Sequence, residues 1–206
     1  MNDTKIKKRS KGRPKTFDRD DALNKALGVF CEYGYQGTSL AQLTDAMGMN
    51  PPSVYGAFGD KQQLFIEVLS HYHAPYLNVV KACFKAQATT LEALGELFQM
   101  SETQHVCRNA LGCLIVNSGI NRSDESSAIG DKIKEIHETN ENLICERLER
   151  GQKEGDVAKQ VNARKLARYI NGILQGAAVT ARGQQSPQAV KDLLDEGFEL
   201  LRSRIS

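Results

Sequence analysis

The sequence predicts an all-α chain of about nine helices: an N-terminal three-helix head containing a helix-turn-helix, then a longer helical body. Three observations predict it. Apolar residues recur at three- and four-residue spacing along most of the chain, as one face of a helix requires. No segment alternates with a period of two for long, as a half-buried strand would. The stripes are separated by Ser, Asp or Asn on the N-terminal side and by Gly on the C-terminal side, the residues that start and stop helices.

The first helix starts at Asp18, with Ala22, Leu23, Ala26, Leu27, Val29 and Phe30 as its stripe and an end near Gly34. Asp18, Asp20 and Asp21 stand in the first turn, where negative charge complements the helix dipole. Ser39 and Gln42 read as a capping box opening a short second helix, whose inner face is Leu40, Leu43 and Met47 and which Gly48 ends. Asn50 caps a third helix with Pro51 at its first position, where a missing N–H costs nothing. In that helix Val54 and Phe58 point inward, Pro52, Ser53, Tyr55 and Gly56 point outward, and Gly59 stops it. Asp60 and Gln63 form a second capping box for a fourth helix buried through Leu64, Val68 and Leu69.

The body continues in the same pattern. Leu91, Leu94, Leu97 and Phe98 mark a fifth helix, and after a polar break around 101–109, Leu111, Leu114 and Ile115 mark a sixth. A long seventh runs from about Ser127 to Glu154 and stops at Gly155; an eighth spans Val161–Arg182; the last follows Ser186-Pro187 through Leu193, Leu194, Phe198 and Leu201. The organisation is thus residues 1–61 as arm and head and 62–206 as body.

At 206 residues, 40% hydrophobic and 25% charged, the chain has the composition of an ordinary globular protein. No apolar run approaches the roughly 18–20 residues of a membrane span, and no apolar stretch follows the basic N-terminus, so a cytoplasmic protein is expected. Five scattered cysteines argue against a disulfide framework. The net charge of +2 conceals an asymmetry: residues 1–15 carry a balance of +6, the rest a balance of −4. Such an arm seeks polyanions, because its contacts release counterions condensed on nucleic acid.

The turn between the second and third helices carries the functional signal. Two helices crossing steeply need a residue without a side chain at the turn, here Gly48, and a plug between them, here Val54. Small outer residues such as Ser53 and Gly56 let the third helix sit deep in a DNA major groove. Tyr55 and Lys61 suit phosphate contacts, which position the protein, and Arg13 of the arm suits an adjacent minor groove. Double-stranded DNA is therefore the expected partner, with thiol enzyme and protein-binding scaffold as rival readings. A symmetric dimer presenting two recognition helices about 34 Å apart is the mechanical expectation.

The run Gly34-Tyr-Gln-Gly-Thr-Ser-Leu40, then Leu43-Thr-Asp-Ala-Met-Gly-Met49, Ser53-Val-Tyr-Gly-Ala-Phe58 and Asp60-Lys61 with Leu64, resembles the DNA-binding head of TetR-type (TetR/AcrR) regulators; Gly12-Arg-Pro14 resembles their arm. The likeness covers about residues 12–70. It implies a homodimeric repressor whose helical body binds an inducer and whose last two helices, within 161–205, form the interface. It implies no enzyme activity and no cofactor. The DNA-facing set is then Arg13, Lys15, Thr38, Ser39, Asn50, Pro51, Pro52, Ser53, Tyr55, Gly56 and Lys61. Thr44 departs from the alanine usual in the family, and Pro51-Pro52 leaves the helix tip without long polar readers, so shape and thymine-methyl contacts are expected to carry more.

In the body, Cys113 follows Gly112 near a helix start with Arg108 upstream, a setting that lowers a thiol pKa and favours sensing of oxidants or electrophiles; a buried structural cysteine is the alternative. The segment Gly112-Cys-Leu-Ile-Val-Asn117 is also similar to one in several TetR-type repressors. Asn117, His137, Asn171 and Gln175 are polar groups in apolar helices and candidate ligand contacts. Tyr72 and Tyr76, four apart, are expected to pack in the core. The histidines and cysteines lack metal-site spacing, so no metal site is expected. Gly172-Ile-Leu-Gln-Gly176-Ala-Ala178 places small residues where a partner helix could approach closely.

Overall fold

A computed structural model describes residues 17–106, 113–120, 128–184 and 186–205. Among these residues the chain forms nine helices and no strand: α1 Arg19–Gly37, α2 Leu40–Met47, α3 Pro51–Phe58, α4 Lys61–Ala86, α5 Thr90–Val106, α6 Leu114–Ile120, α7 Ala128–Glu154, α8 Ala163–Gln184 and α9 Pro187–Ile205. None of them is long and apolar enough to cross a membrane. Arg13, Lys15, Cys107, Arg108, Leu111 and Gly112 lie outside the described residues.

The caps read from the sequence form. The Asp18 carboxylate accepts from the Asp20 and Asp21 amides, and both boxes, Ser39/Gln42 and Asp60/Gln63, are reciprocal. Gly34 breaks α1 with φ 70° and ψ 176°, and a short helical stretch follows it. Glycines 48, 59 and 155 end their helices at positive φ, a conformation disfavoured for residues with a Cβ.

Two apolar clusters organise the molecule. One joins Leu23, Phe30, Leu43 and Val54 of the head to Leu64, Phe65, Val68 and Leu69 of α4, and includes Leu114 and Ile115 of α6 with Ile129 and Ile133 of α7. The other gathers Val80 and Phe84 of α4 with Leu94, Leu97, Leu148, Ile170, Leu194 and Leu201. Helix α4 thus belongs to both clusters, its first half to the head and its second to the body.

Beyond its apolar contacts the body is tied by a buried arginine. Arg147 of α7, 2% exposed, donates from Nη1 to the Thr90 hydroxyl at 2.7 Å. That hydroxyl donates to Asp156 at 2.9 Å, and the Thr90 amide donates to the same carboxylate. Burial holds the Arg147 pKa below its ordinary value. Gln152 adds an amide bond to the Val161 carbonyl at 2.8 Å, closing the turn between α7 and α8.

Two expectations are corrected and one is extended. The polar stretch expected to break the chain from 101 is helical through Val106, with Ser101 and His105 buried; its polar side chains face an internal cavity, so polarity there does not signal exposure. The small residues of α8 serve packing within the chain: Ala177 and Ala178 are buried, and a Cβ on Gly176 would lie 3.6 Å from Leu193 of α9. Tyr72 and Tyr76 pack against the two clusters as expected, and both also line the cavity.

The packing around Arg147 makes Gly151 sensitive. A Cβ there would overlap the Thr90 hydroxyl and the Asp156 carboxylate and come within 2.7 Å of Val157. Gly151→Ala is expected to destabilise the fold by about 1–3 kcal/mol, whereas Gly28→Ala, with nothing within 4 Å, should gain up to about 1 kcal/mol from helix propensity. Urea unfolding of the two variants checks the contrast.

Candidate functional site

The head presents one solvent-facing helix. In α3, Val54 and Phe58 are buried, at 2% and 5% exposure, while Pro51, Pro52, Ser53, Tyr55 and Gly56 are exposed. The preceding turn is closed by backbone bonds from Gly48 to Asp45 at 3.1 Å and from Met49 to Thr44 at 3.0 Å. Asn50 Oδ1 accepts from the Ser53 amide at 2.9 Å, and Ser39 performs the same task in α2. Both side chains therefore order the N-termini that border the exposed face.

Lys61, the first residue of α4, holds its ammonium 4.6 Å from the centre of the Tyr35 ring. Its partial burial keeps its pKa below the ordinary lysine value. Thr38 is placed differently from expectation. It is buried at 2% exposure, and its hydroxyl donates to the Gly34 carbonyl at 2.6 Å, satisfying the group that the break in α1 sets free. A hydroxyl so engaged is not offered to a phosphate.

Sequence reasoning missed Arg19. Its guanidinium donates to both carboxylate oxygens of Glu67, at 2.6 and 2.7 Å, and to the Ala57 carbonyl at 3.0 Å. It also stacks 4.4 Å from the centre of the Phe58 ring. A fork of donors suits this role: one side chain ties α1 to the C-terminus of α3 and to α4, fixing the pitch of the exposed helix. Contacts between residues 48 apart leave no local signal.

The body contains a cavity of about 790 Å³ between α4, α5, α6, α7 and α8, with Asn24 and Leu27 of α1 also on its wall. Of the five polar candidates, the structure brings Cys113, His137, Asn171 and Gln175 to this wall and leaves Asn117 off it, buried within α6. The missed contributors are Tyr72, His73 and Tyr76 from α4 and Gln104 and His105 from α5. The Gln104 amide donates to the Tyr72 hydroxyl at 2.9 Å, and that hydroxyl reaches Cys113 Sγ at 3.9 Å. His73 Nε2 pairs with Asn140 Oδ1 at 2.8 Å.

The expected lowering of the Cys113 pKa is corrected. Burial raises it and outweighs the opposing effects of the Val116 and Ile115 amides and the Tyr72 hydroxyl. Arg108, the cation expected beside it, lies outside the described residues. Among the described residues no three His, Cys, Asp or Glu side chains gather as a metal site.

Residues 89–196 match the family described as tetracyclin repressor-like, C-terminal domain, and residues 22–68 match bacterial regulatory proteins, tetR family. The chain belongs to the TetR family. Among TetR-family relatives, it is 33% identical to the HTH-type transcriptional repressor ComR of Escherichia coli (strain K12), covering 87% of this chain and 86% of ComR. It is 27% identical to the HTH-type transcriptional regulator YezE of Bacillus subtilis (strain 168), over 92% and 99% of the two chains. In structure it is similar to a cysteine-substituted variant of the TetR family regulator CifR complexed with 26-bp double-strand operator DNA. That likeness has TM-score 0.83 at 32% identity and covers 91% of this chain and 98% of the other.

The cavity histidines predict a pH dependence of stability. Burial lowers the pKa of His73, His105 and His137; on His73, Asn140 and Glu135 oppose this while Lys132 and Lys81 add to it. A depressed folded pKa means that the unfolded chain binds more protons below about pH 6.5, so stability present above that pH is lost as pH falls toward the folded values. Thermal unfolding should show a falling Tm between about pH 7 and pH 5, and a His105→Gln/His137→Gln double variant should flatten the slope. An unchanged slope in that variant would assign the effect to other groups.

Proposed function

We propose that this TetR-family chain is a transcriptional repressor that binds operator DNA as a two-fold dimer through α3 and is released when a ligand occupies the cavity in its body. The observation that carries the reading is the outward face of α3. Pro52, Ser53, Tyr55 and Gly56 are exposed on a helix whose other side is locked by Val54, Phe58 and Arg19. The likeness to CifR bound to operator DNA supports it.

In this reading residues 1–61 form the DNA-reading unit and 62–206 the sensing and dimerising unit. Tyr55 and Lys61 contact phosphates, Pro51, Pro52, Ser53 and Gly56 shape the groove face, and Ser39 and Asn50 border it. The basic arm, with Arg13 and Lys15, contributes counterion release and minor-groove contact. The dimer face lies within 161–205, where Tyr169, Val179 and Leu200 are large apolar residues left 45%, 43% and 47% exposed.

Release works by population shift. Helix α4 lines the cavity with His71, Tyr72, His73 and Tyr76 and packs into the head with Leu64 and Val68. A ligand that favours one placement of α4 favours one spacing of the two α3 helices, and can shift DNA affinity only by its differential affinity for the two states.

Selection of bound DNA from a random pool at fixed salt should enrich a palindrome with half-sites a whole number of helical turns apart. Tyr55→Ala should then weaken that site about tenfold, the loss of a hydrogen bond to a charged group. Deletion of residues 1–15 should lower both the affinity and the steepness of its salt dependence. Failure to enrich any sequence would remove the operator-binding reading.

A further inference from the structure

The wall of the body cavity has an unusual charge pattern. Of the described residues lining it, only Glu96 carries a fixed charge, and Glu96 is exposed to solvent. The remaining polar groups on the wall are neutral amides, hydroxyls, a thiol and histidines. Lys81, Lys132 and Glu135, which act on His73, are not part of the lining. An ion moved from water into such a site would lose its hydration without gaining a counter-charge, a cost of several kcal/mol in real proteins.

His105 and His137 add direction to this pattern. They face the cavity from α5 and α7, and in each ring Nδ1 is closed off from solvent with no hydrogen-bond partner among the described residues. Nε2 is then the nitrogen left to meet a ligand. A sealed N–H without an acceptor is rarer than a sealed lone pair, which places the single proton of each neutral ring on Nε2. Burial lowers the pKa of both rings, in keeping with neutral imidazoles. Each histidine therefore offers a donor, and neither offers a charge.

We propose that the cavity takes an uncharged, mainly apolar ligand bearing carbonyl or ether oxygens, which accept hydrogen bonds from His105 and His137. The assignment rests on the reading of this cavity as the inducer site. Tyr72, Tyr76, Met100 and Leu174 supply the apolar enclosure, and Asn171 and Gln175 supply further amide groups. A volume of about 790 Å³ suits a molecule of drug-like size.

The test uses three matched naphthalene probes with the full-length protein, read by fluorescence. Prodan is neutral and carries a ketone; 6-(dimethylamino)-2-naphthoate replaces the ketone with a carboxylate; 2-(dimethylamino)naphthalene lacks the acceptor. Prodan is expected to bind at least about tenfold more tightly than the naphthoate and about three- to tenfold more tightly than the acceptor-free amine, the worth of one or two net hydrogen bonds. His105→Leu and His137→Leu should each weaken Prodan and shift its emission to the blue while leaving the acceptor-free amine unchanged. Gln175→Trp, which fills the cavity, should exclude all three probes.

Equal or tighter binding of the naphthoate, or binding of no probe by the wild-type protein, overturns the proposal without recourse to any variant. So does an unshifted Prodan spectrum in both histidine variants. Operator affinity is measured alongside: Prodan that binds with the expected selectivity but leaves DNA affinity unchanged upholds the ligand class and removes the inducer reading.

Discussion

One continuous helix constrains everything else in this molecule. Helix α4 has 26 residues, about 39 Å at the rise of an α-helix, and its two halves are committed to different cores. Leu64, Phe65, Val68 and Leu69 complete the core under the recognition helix; Val80 and Phe84 are anchored in the body. Close-packed cores do not deform continuously, so the head follows the body as a rod follows its socket. The cavity lies along the middle of this rod. Pro75 stands there on its wall, removing the N–H that would otherwise bond to the His71 carbonyl, so the rod is weakest in its own hydrogen bonding where a ligand would touch it.

The two ends of the rod are built on different physics. The head is an apolar core with capped helix ends, and its Arg19–Glu67 ion pair is set where it fixes α3. The body buries polar groups: Arg147 with Thr90 and Asp156, and the histidine- and amide-lined cavity. Buried polar groups are costly unless paired, and among the described residues Nδ1 of His105 and of His137 find no partner. The molecule thus carries its imperfect packing in the part that answers to a ligand and its well-satisfied packing in the part that reads DNA.

The helices were legible in the sequence because their signals are local. Ser39 with Gln42, Asn50 with Pro51, and Asp60 with Gln63 act within one turn, and the structure uses each as the pattern implies. The exposed face of α3 followed from Val54 and Phe58 alone. What could not be read depends on distant partners. Arg19 acts through Glu67, and Thr38 is consumed by a break in α1 that frees the Gly34 carbonyl. The stretch 101–106 looked like a loop because helix-facing polarity has two sources, solvent and an internal cavity, which a single sequence does not distinguish. Cys113 shows the same limit from the other side: its position at a helix start was legible, but the burial that dominates its pKa was not.

The construction of α3 also bears on how such a regulator changes its targets. Only Val54 and Phe58 of its eight residues are buried; the remainder hold no core position, so their replacement leaves the fold nearly untouched. Binding preference and folding stability are therefore close to separable traits here. Lineages can drift through operator sequences by substitutions at Ser53, Tyr55 or Gly56, with the scaffold, the rod and the cavity inherited intact.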